Sequence, residues 1–320
     1  MNIKFIIIVL GEPFSTFSEI LGKYFKKKKK FRKKIILIGC KTLFEKQLSK
    51  LKIPITLNEI KNLSQAKSNS INIFNIQLKY KKVFDKISIK SNNYIEQCFT
   101  KSLKLINSIK DQSVLINGPI SKKHFLKKKF LGVTEYLSKK TSSKNEVMLI
   151  YNNSISVSPL TTHIPLKYVS KYITKENLAN NVLKINYFYH NTLKKKPRFA
   201  ILGLNPHCET VDKYSEEEKI IIPSINFLKK KNIIISGPFP ADTFFIKDNI
   251  KKFDVVLGMY HDQVLTPIKT LYNFNAINIT IGLPFLRISP DHGPNSKMLG
   301  KNLSDPSSIF YAMKFINKLK

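Results

Sequence analysis

The sequence predicts an α/β fold with largely parallel sheets and helices on both faces. Short β-branched apolar runs alternate along the chain with longer segments of helical periodicity, the pattern of strand–helix–strand units. The length of 320 residues with 42% hydrophobic content supports two ordinary domains or one large one, and excludes wholesale disorder. Three of the six histidines follow an apolar run where a strand should end, which is where open α/β sheets bind ligands.

The elements follow in order. Residues 3–9 form a first strand, because the apolar run from Phe5 to Leu10 stops at Gly11-Glu12-Pro13 without the small-residue cleavage site of a signal peptide. Residues 34–39 form the next. A helix is expected over 94–109, where Ile95, Cys98, Phe99, Leu103, Leu105 and Ile106 fall near one face. Strands at 113–116, 146–151 and 154–158 precede a helix at 175–193 and a strand at 198–204. Ser215 and Glu218 form a capping box that starts a helix, and Pro223 inside it should shift the start or kink the axis. Strands at 233–236, 254–259 and 276–281 and a last helix at 306–317 complete the pattern. Residues 64–93 are polar, weakly periodic and yield no element.

The charge balance is 55 Lys+Arg against 21 Asp+Glu, a formal +34, which by itself suggests a polyanion partner. Only Arg32, Arg198 and Arg287 are arginines, however, and specific base and phosphate recognition relies on arginine's planar fork. Lysine runs at 26–30, 127–129, 194–196 and 229–231 sit at expected element ends, where helix C-termini favour cations. The reading is a solvated basic surface with no specific nucleic-acid partner. No stretch reaches the roughly 18 apolar residues of a membrane span. Cys40, Cys98 and Cys208 are odd in number and widely spaced, so no disulfide framework is expected, and a cytoplasmic location is.

The chemistry-bearing residues cluster late in the chain. His163 in SPLTTHIP, His207 in ILGLNPHCE and His261 in VVLGMYHDQ make a candidate three-histidine metal site, open to water or substrate at its other positions; a loop histidine with a satisfied hydrogen bond is the competing reading for each. Their separations fit no zinc finger or ribbon, so a metal here would be catalytic. Glu209, Asp242, Asp262 and Asp291 accompany them, as partners orienting an imidazole or as caps and turn residues, with Asp242 and Asp291 favoured by their Gly/Pro-rich loops. Cys208 reads as a small buried thiol rather than a ligand. Lys269, Asn278 and Arg287 together suit a phosphate or carboxylate, against a surface lysine and an interdomain salt bridge as the plainer readings. No GxGxxG follows a strand and no GxxxxGK[ST] occurs.

Seven motifs now stand in order: NGPISK at 117–122, GVTEY at 132–136, TTHIPL at 161–166, GLNPH at 203–207, GPFPADTFF at 237–245, MYHDQ at 259–263 and NITIGLPFLRISPDHG at 278–293. With them the chain resembles the 4-hydroxythreonine-4-phosphate dehydrogenase family over effectively its full length. The resemblance implies two α/β/α domains like those of isocitrate and isopropylmalate dehydrogenases, with an active site in the interdomain cleft. It implies a first domain of 1–119 plus 288–320, and a second of 120–287 carrying the metal ligands and a homodimer interface. The implied activity is the metal-dependent, NAD- or NADP-linked oxidation and decarboxylation of a small phosphorylated hydroxy amino acid in pyridoxal phosphate biosynthesis. By matching position, His163, His207 and His261 would bind a divalent metal (Zn, Mg, Mn or Co) in a site shared across the dimer. Thr134, Lys269, Asn278 and Arg287 would hold substrate, and Asp242 is the candidate for proton transfer or ligand orientation.

Two departures bear on that reading. Val133 stands where the family has a substrate-contacting histidine, which keeps open a related enzyme acting on another phosphorylated hydroxy acid. The glycine-rich stretch after the first strand reads GEPFSTFSE, with bulky Phe14 and Phe17, which keeps open a non-catalytic, metal-stabilised scaffold.

Overall fold

A computed structural model describes residues 2–28, 30–126, 129–210, 214–273, 275–290 and 293–319. The chain divides into two compact units, residues 1–143 with 283–320 and residues 144–282.

Unit 1 contains, in chain order, β1 (Phe5–Val9), α1 (Phe17–Lys27), β2 (Lys34–Gly39), α2 (Lys41–Lys50), β3 (Leu57–Glu59), β4 (Ile71–Asn75), α3 (Asn92–Ile109), β5 (Ser113–Asn117) and α4 (Val133–Lys140). Its sheet runs β3-β4-β2-β1-β5 and closes with a strand from the far end of the chain, β12 (Leu286–Pro290), all parallel. The central strands are continuous apolar runs because both faces are covered. Ile7, Val9, Ile36 and Ile38 face the core with Ile95, Cys98, Phe99 and Ile106 of α3. By strand alternation Ile6, Ile8, Ile35 and Leu37 point the other way, and they are equally buried. On that side α1 packs on α2 and on the C-terminal helix α11 (Ser307–Lys318).

Unit 2 contains β6 (Val147–Tyr151), β7 (Ser156–Thr161), α5 (Val169–Tyr172), α6 (Lys175–Phe188), β8 (Arg198–Leu202), α7 (Ile222–Lys230), β9 (Ile234–Phe239), α8 (Ala241–Phe244), α9 (Lys247–Ile250), β10 (Val255–Tyr260), α10 (His261–Tyr272) and β11 (Ile277–Ile281). Its sheet order is β11-β6-β7-β10-β8-β9; β6 is antiparallel to both neighbours and the β7-β10-β8-β9 run is parallel. Val264, Leu265 and Ile268 of α10 bury against Val157, Ala200, Leu202 and Val256. On the opposite face α6 lies against β6, β7 and β11, where Ser158 Oγ meets Asn181 Oδ1 at 3.1 Å.

The mostly parallel α/β architecture agrees with the sequence reading. Pro223 falls in the first turn of α7, where its missing N–H costs nothing, so the regular helix begins at Ile222 after a wider turn over Glu217–Ile221. The Ser215 hydroxyl accepts from Glu218 N–H at 3.4 Å, half of the expected capping box. Ten of these elements were not expected from the sequence: α1, α2, β3, β4, α4, α5, α8, α9, α10 and β12. The polar stretch at 64–93 contains β4, which pairs between β2 and β3. The expected domain limits also differ from the units. Residues 120–143 and 283–287 belong with unit 1, since Ile120, Leu126, Tyr136, Leu137 and Phe285 are buried in its core.

Candidate active site

Four parallel strands of unit 2 end side by side, and each delivers one expected site residue at its carboxyl end. His163 lies two residues beyond β7, His261 directly after β10, His207 five residues beyond β8 and Asp242 three beyond β9. A side-chain bond ties the first two ends together, Thr161 Oγ1 donating to Met259 O at 2.7 Å. The third is held by Gln263, whose Oε1 accepts from Met259 N–H and whose Nε2 donates to Gly203 O, both at 2.7 Å.

The imidazoles of His163 and His261 lie 5.9 Å apart, centroid to centroid, and tilted by 37°. His261 Nδ1 contacts Asp262 Oδ1 at 2.6 Å, which orients the ring and leaves Nε2 as the nitrogen for a ligand. That neutral-imidazole chemistry fits a borderline divalent cation. Among the described residues, no three His, Cys, Asp or Glu side chains form a group that would hold a metal, so His207 does not join the pair within the single chain.

The loop carrying His207 is built around a buried carboxylate. Glu217 Oε1 accepts from the N–H groups of Leu204 and Asn205 at 2.7 and 2.9 Å, and its Oε2 from Asn205 Nδ2 and Ser215 Oγ at 2.8 and 2.9 Å. Burial opposes ionisation of Glu217, but these donors outweigh it and hold its carboxyl below the ordinary value. His207 and Cys208 both adopt left-handed backbone, φ 55° and 62°, which costs a non-glycine residue roughly 1–2 kcal/mol. Gly203 is required by close approach, since a Cβ there would lie 2.7 Å from Cys208 Sγ. Partial burial and then the neighbouring Glu217 raise the Cys208 thiol, which disfavours its use as a thiolate ligand.

The four expected substrate residues separate into two pairs. In unit 1, Arg287 on β12 is 3% exposed; its Nε donates to Asn117 Oδ1 at 2.8 Å and its Nη1 to Thr134 Oγ1 at 3.0 Å. Burial pushes the guanidinium down to about 10, opposed by the Glu135 carboxylate, so it stays cationic at neutral pH. In unit 2, Lys269 is exposed on α10, and Asn278 on β11 has a buried Oδ1 with no hydrogen-bond partner. Such an atom marks a place for a donor from a ligand. Asp242 and Glu209 are exposed. Asp291 lies outside the described residues.

Asn117, Glu217 and Gln263 are site neighbours that motif reading missed. The first and third lie inside the quoted motifs, but nothing in sequence distinguishes a motif residue that orients another from one that touches a ligand. The departures also have structural explanations. Phe14 and Phe17 are 7% and 1% exposed, and Phe17 fills the space opened by Gly118, whose Cβ would lie 2.4 Å from its ring. Val133 starts α4 and packs on the unit 1 core.

Comparison with known proteins places these observations. The family described as pyridoxal phosphate biosynthetic protein PdxA matches residues 31–316. A 4-hydroxythreonine-4-phosphate dehydrogenase of Sulfurihydrogenibium sp. is 35% identical over 98% of this chain and 97% of its own. In fold, the crystal structure of 4-hydroxythreonine-4-phosphate dehydrogenase from Klebsiella pneumoniae superposes with a TM-score of 0.81 at 24% identity, covering 98% of each chain. The isocitrate dehydrogenase of Methylococcus capsulatus shares the fold more distantly, with a TM-score of 0.50 at 9% identity over 98% of this chain and 85% of the other.

Proposed function

The chain belongs to the family of the pyridoxal phosphate biosynthetic protein PdxA, and from that premise we propose that it oxidises and decarboxylates 4-hydroxythreonine 4-phosphate to 3-amino-2-oxopropyl phosphate. The observation that carries this reading is the delivery of His163, His261, His207 and Asp242 to one edge of the unit 2 sheet by four neighbouring parallel strands.

His163, His261 and, from a second copy, His207 would hold a divalent cation, which would polarise the substrate hydroxyl, and NAD or NADP would supply the hydride acceptor. The chain's own groups do the rest. Asp262 fixes the His261 ring. Arg287 and Thr134 offer a cation and a hydroxyl to an anionic group of the substrate, Lys269 a second cation, and the orphaned Asn278 Oδ1 accepts a substrate donor. Asp242 would take the proton of the substrate hydroxyl during oxidation and could return it to carbon after loss of CO2. The resulting ketone is β to the carboxylate, so the C–CO2 bond breaks with its electron pair passing into that carbonyl, and a proton later returns to carbon.

The assembly implied is a homodimer with a shared site. Leu166, Tyr168 and Tyr172, exposed by 70%, 40% and 50% directly after His163, supply apolar surface for a second copy. Among the described residues no helix is long and apolar enough to cross a membrane.

The test is reduction of NAD by the purified protein with 4-hydroxythreonine 4-phosphate and a divalent metal, beside His207→Ala and Val133→His variants. Turnover by the natural chain that is abolished in His207→Ala supports the assignment. A folded, metal-loaded protein inactive on this substrate but rescued by Val133→His favours the related enzyme with a different phosphorylated hydroxy acid, a reading that the apolar packing of Val133 keeps in play. Inactivity of both overturns the assignment.

A further inference from the structure

A cavity of about 690 Å³, the size of a small-molecule site, lies wholly within unit 1. It is lined by the first turns of α3, by Phe125, Lys129 and Phe130, and by one face of α4 that carries Tyr136, Lys139 and Lys140. At 3.6 residues per turn, those three positions stand about 120–160° around the helix from Thr134. The cavity therefore borders the side of α4 turned away from the Thr134–Arg287 bond, and none of the candidate active-site residues lines it.

Its wall is aromatic. Tyr136 is buried at the centre, with the rings of Phe125 and Phe130 edge-on to it at 5.3 and 5.6 Å. Phe125 and Phe130 are only half-buried, so both keep ring surface for an occupant. The charge around them is positive. Glu96 is the one carboxylate in the lining, and it is already engaged, accepting from Tyr136 Oη at 2.6 Å and from Lys140 Nζ. Lys129 and Lys139 are exposed and have no carboxylate partner among the described residues. The Lys139 ammonium stands 5.8 Å from the centroid of the Phe130 ring, which puts a cation and an aromatic face side by side. Asn92, also in the lining, gives its Nδ2 to His124 O at 2.9 Å, while its Oδ1 is buried without a hydrogen-bond partner.

We propose that this cavity is a binding site, separate from the candidate active site, for a planar aromatic ring that bears a phosphate. The ring packs on Phe125 and Phe130, the phosphate is held by Lys129 and Lys139, and a donor on the ring answers Asn92 Oδ1. Either half of such a ligand alone uses only half of the site. A phosphorylated pyridine and a nucleoside monophosphate both carry this chemistry.

The test is calorimetric titration of the full-length protein with pyridoxine 5′-phosphate and, separately, with AMP. Pyridoxine 5′-phosphate has no aldehyde and so forms no imine with the chain's lysines. One of the two should bind saturably, one per chain, at least tenfold more tightly than inorganic phosphate or its own unphosphorylated form, and the tighter of the two identifies the source. Lys139→Glu, at an exposed position, should weaken that binding tenfold or more, which corresponds to about 1.4 kcal/mol. Lys231→Glu should leave it unchanged. That control removes the same charge from a lysine that also stands over a ring, Phe227 at 5.1 Å, but in unit 2.

Equal weakening by the two charge reversals would reduce the effect to the basic surface as a whole and overturn the proposal. Displacement of the bound probe by 4-hydroxythreonine 4-phosphate overturns it too, by putting the probe in the active site. So does inorganic phosphate that binds as tightly as the ring phosphates, or the lack of saturable binding by either of them.

Discussion

Glu12 shows how a single side chain can set the pH dependence of the whole fold. It is 2% exposed and borders a cavity of about 20 Å³ lined also by Ser18, Cys40 and Tyr94, room for about one water. Burial raises its carboxyl from 4.5 to about 7, against the opposing bonds from Phe14 N–H and the Ser91 side chain. Between those two values the unfolded chain releases the proton while the folded chain keeps it, so stability falls as pH rises through the window and levels off above about 7. Glu12→Gln should remove that slope and stabilise the protein at pH 8 by on the order of 3 kcal/mol, read from denaturant midpoints at pH 5 and 8. The catalytic candidates were legible at this scale because His163, His207 and His261 each follow a recognisable apolar run. The residues that orient them were not: Gln263 and Glu217 act through backbone groups of loops distant in sequence, and no local pattern announces such a bond.

At the level of elements, the strands built on apolar runs could be read from sequence, while β3, β4 and β12 and helices both long and short could not. β1, β2, β5 and β10 are unbroken apolar runs, whereas β4 places Asn72 inside a strand. Asn72 is wholly buried and spends its amide on Ile35 O, Lys67 O and Ser70 O, a tertiary solution that propensity does not express. α10 begins at His261 and contains Pro267, which conceals a helix in sequence. The brackets between strand ends have consequences of their own. Gln263→Leu leaves Met259 N–H and Gly203 O without their partners, at about 1–3 kcal/mol each, and loosens the loop that carries His207. Divalent-metal affinity, measured by equilibrium dialysis, should fall by roughly 10–100-fold. Gly203→Ala should destabilise by about 1–3 kcal/mol for a different reason, overpacking against Cys208 Sγ, and its check is a lowered Tm.

For the molecule as a whole, the formal charge of +34 is carried by lysine spread along the sequence, and it predicts behaviour rather than function. Retention on heparin should be strong in dilute buffer and lost on passing to about 0.2 M salt, without preference for any nucleic-acid sequence. The parallel sheets were expected from the alternating elements, whereas the division into two units was implied only by the family resemblance. The first domain implied by the resemblance stops at residue 119, yet Ile120 is buried in the unit 1 core. The return of the chain to unit 1 at Leu283 depends on the pairing of β12 with β5, across more than half of the sequence.

That return imposes an order of events during synthesis. Unit 2 is one continuous stretch, 144–282, and all six of its strands have been made before β12 emerges from the ribosome. Unit 1 must wait with an open sheet edge along β5, its N-terminal strands already exposed, until residues 283–319 arrive. The strand that closes that edge also brings Arg287. A nascent chain stalled before residue 283 therefore lacks both the last strand of the sheet and the buried cation, and it offers an unpaired β5 to chaperones or to other copies of itself.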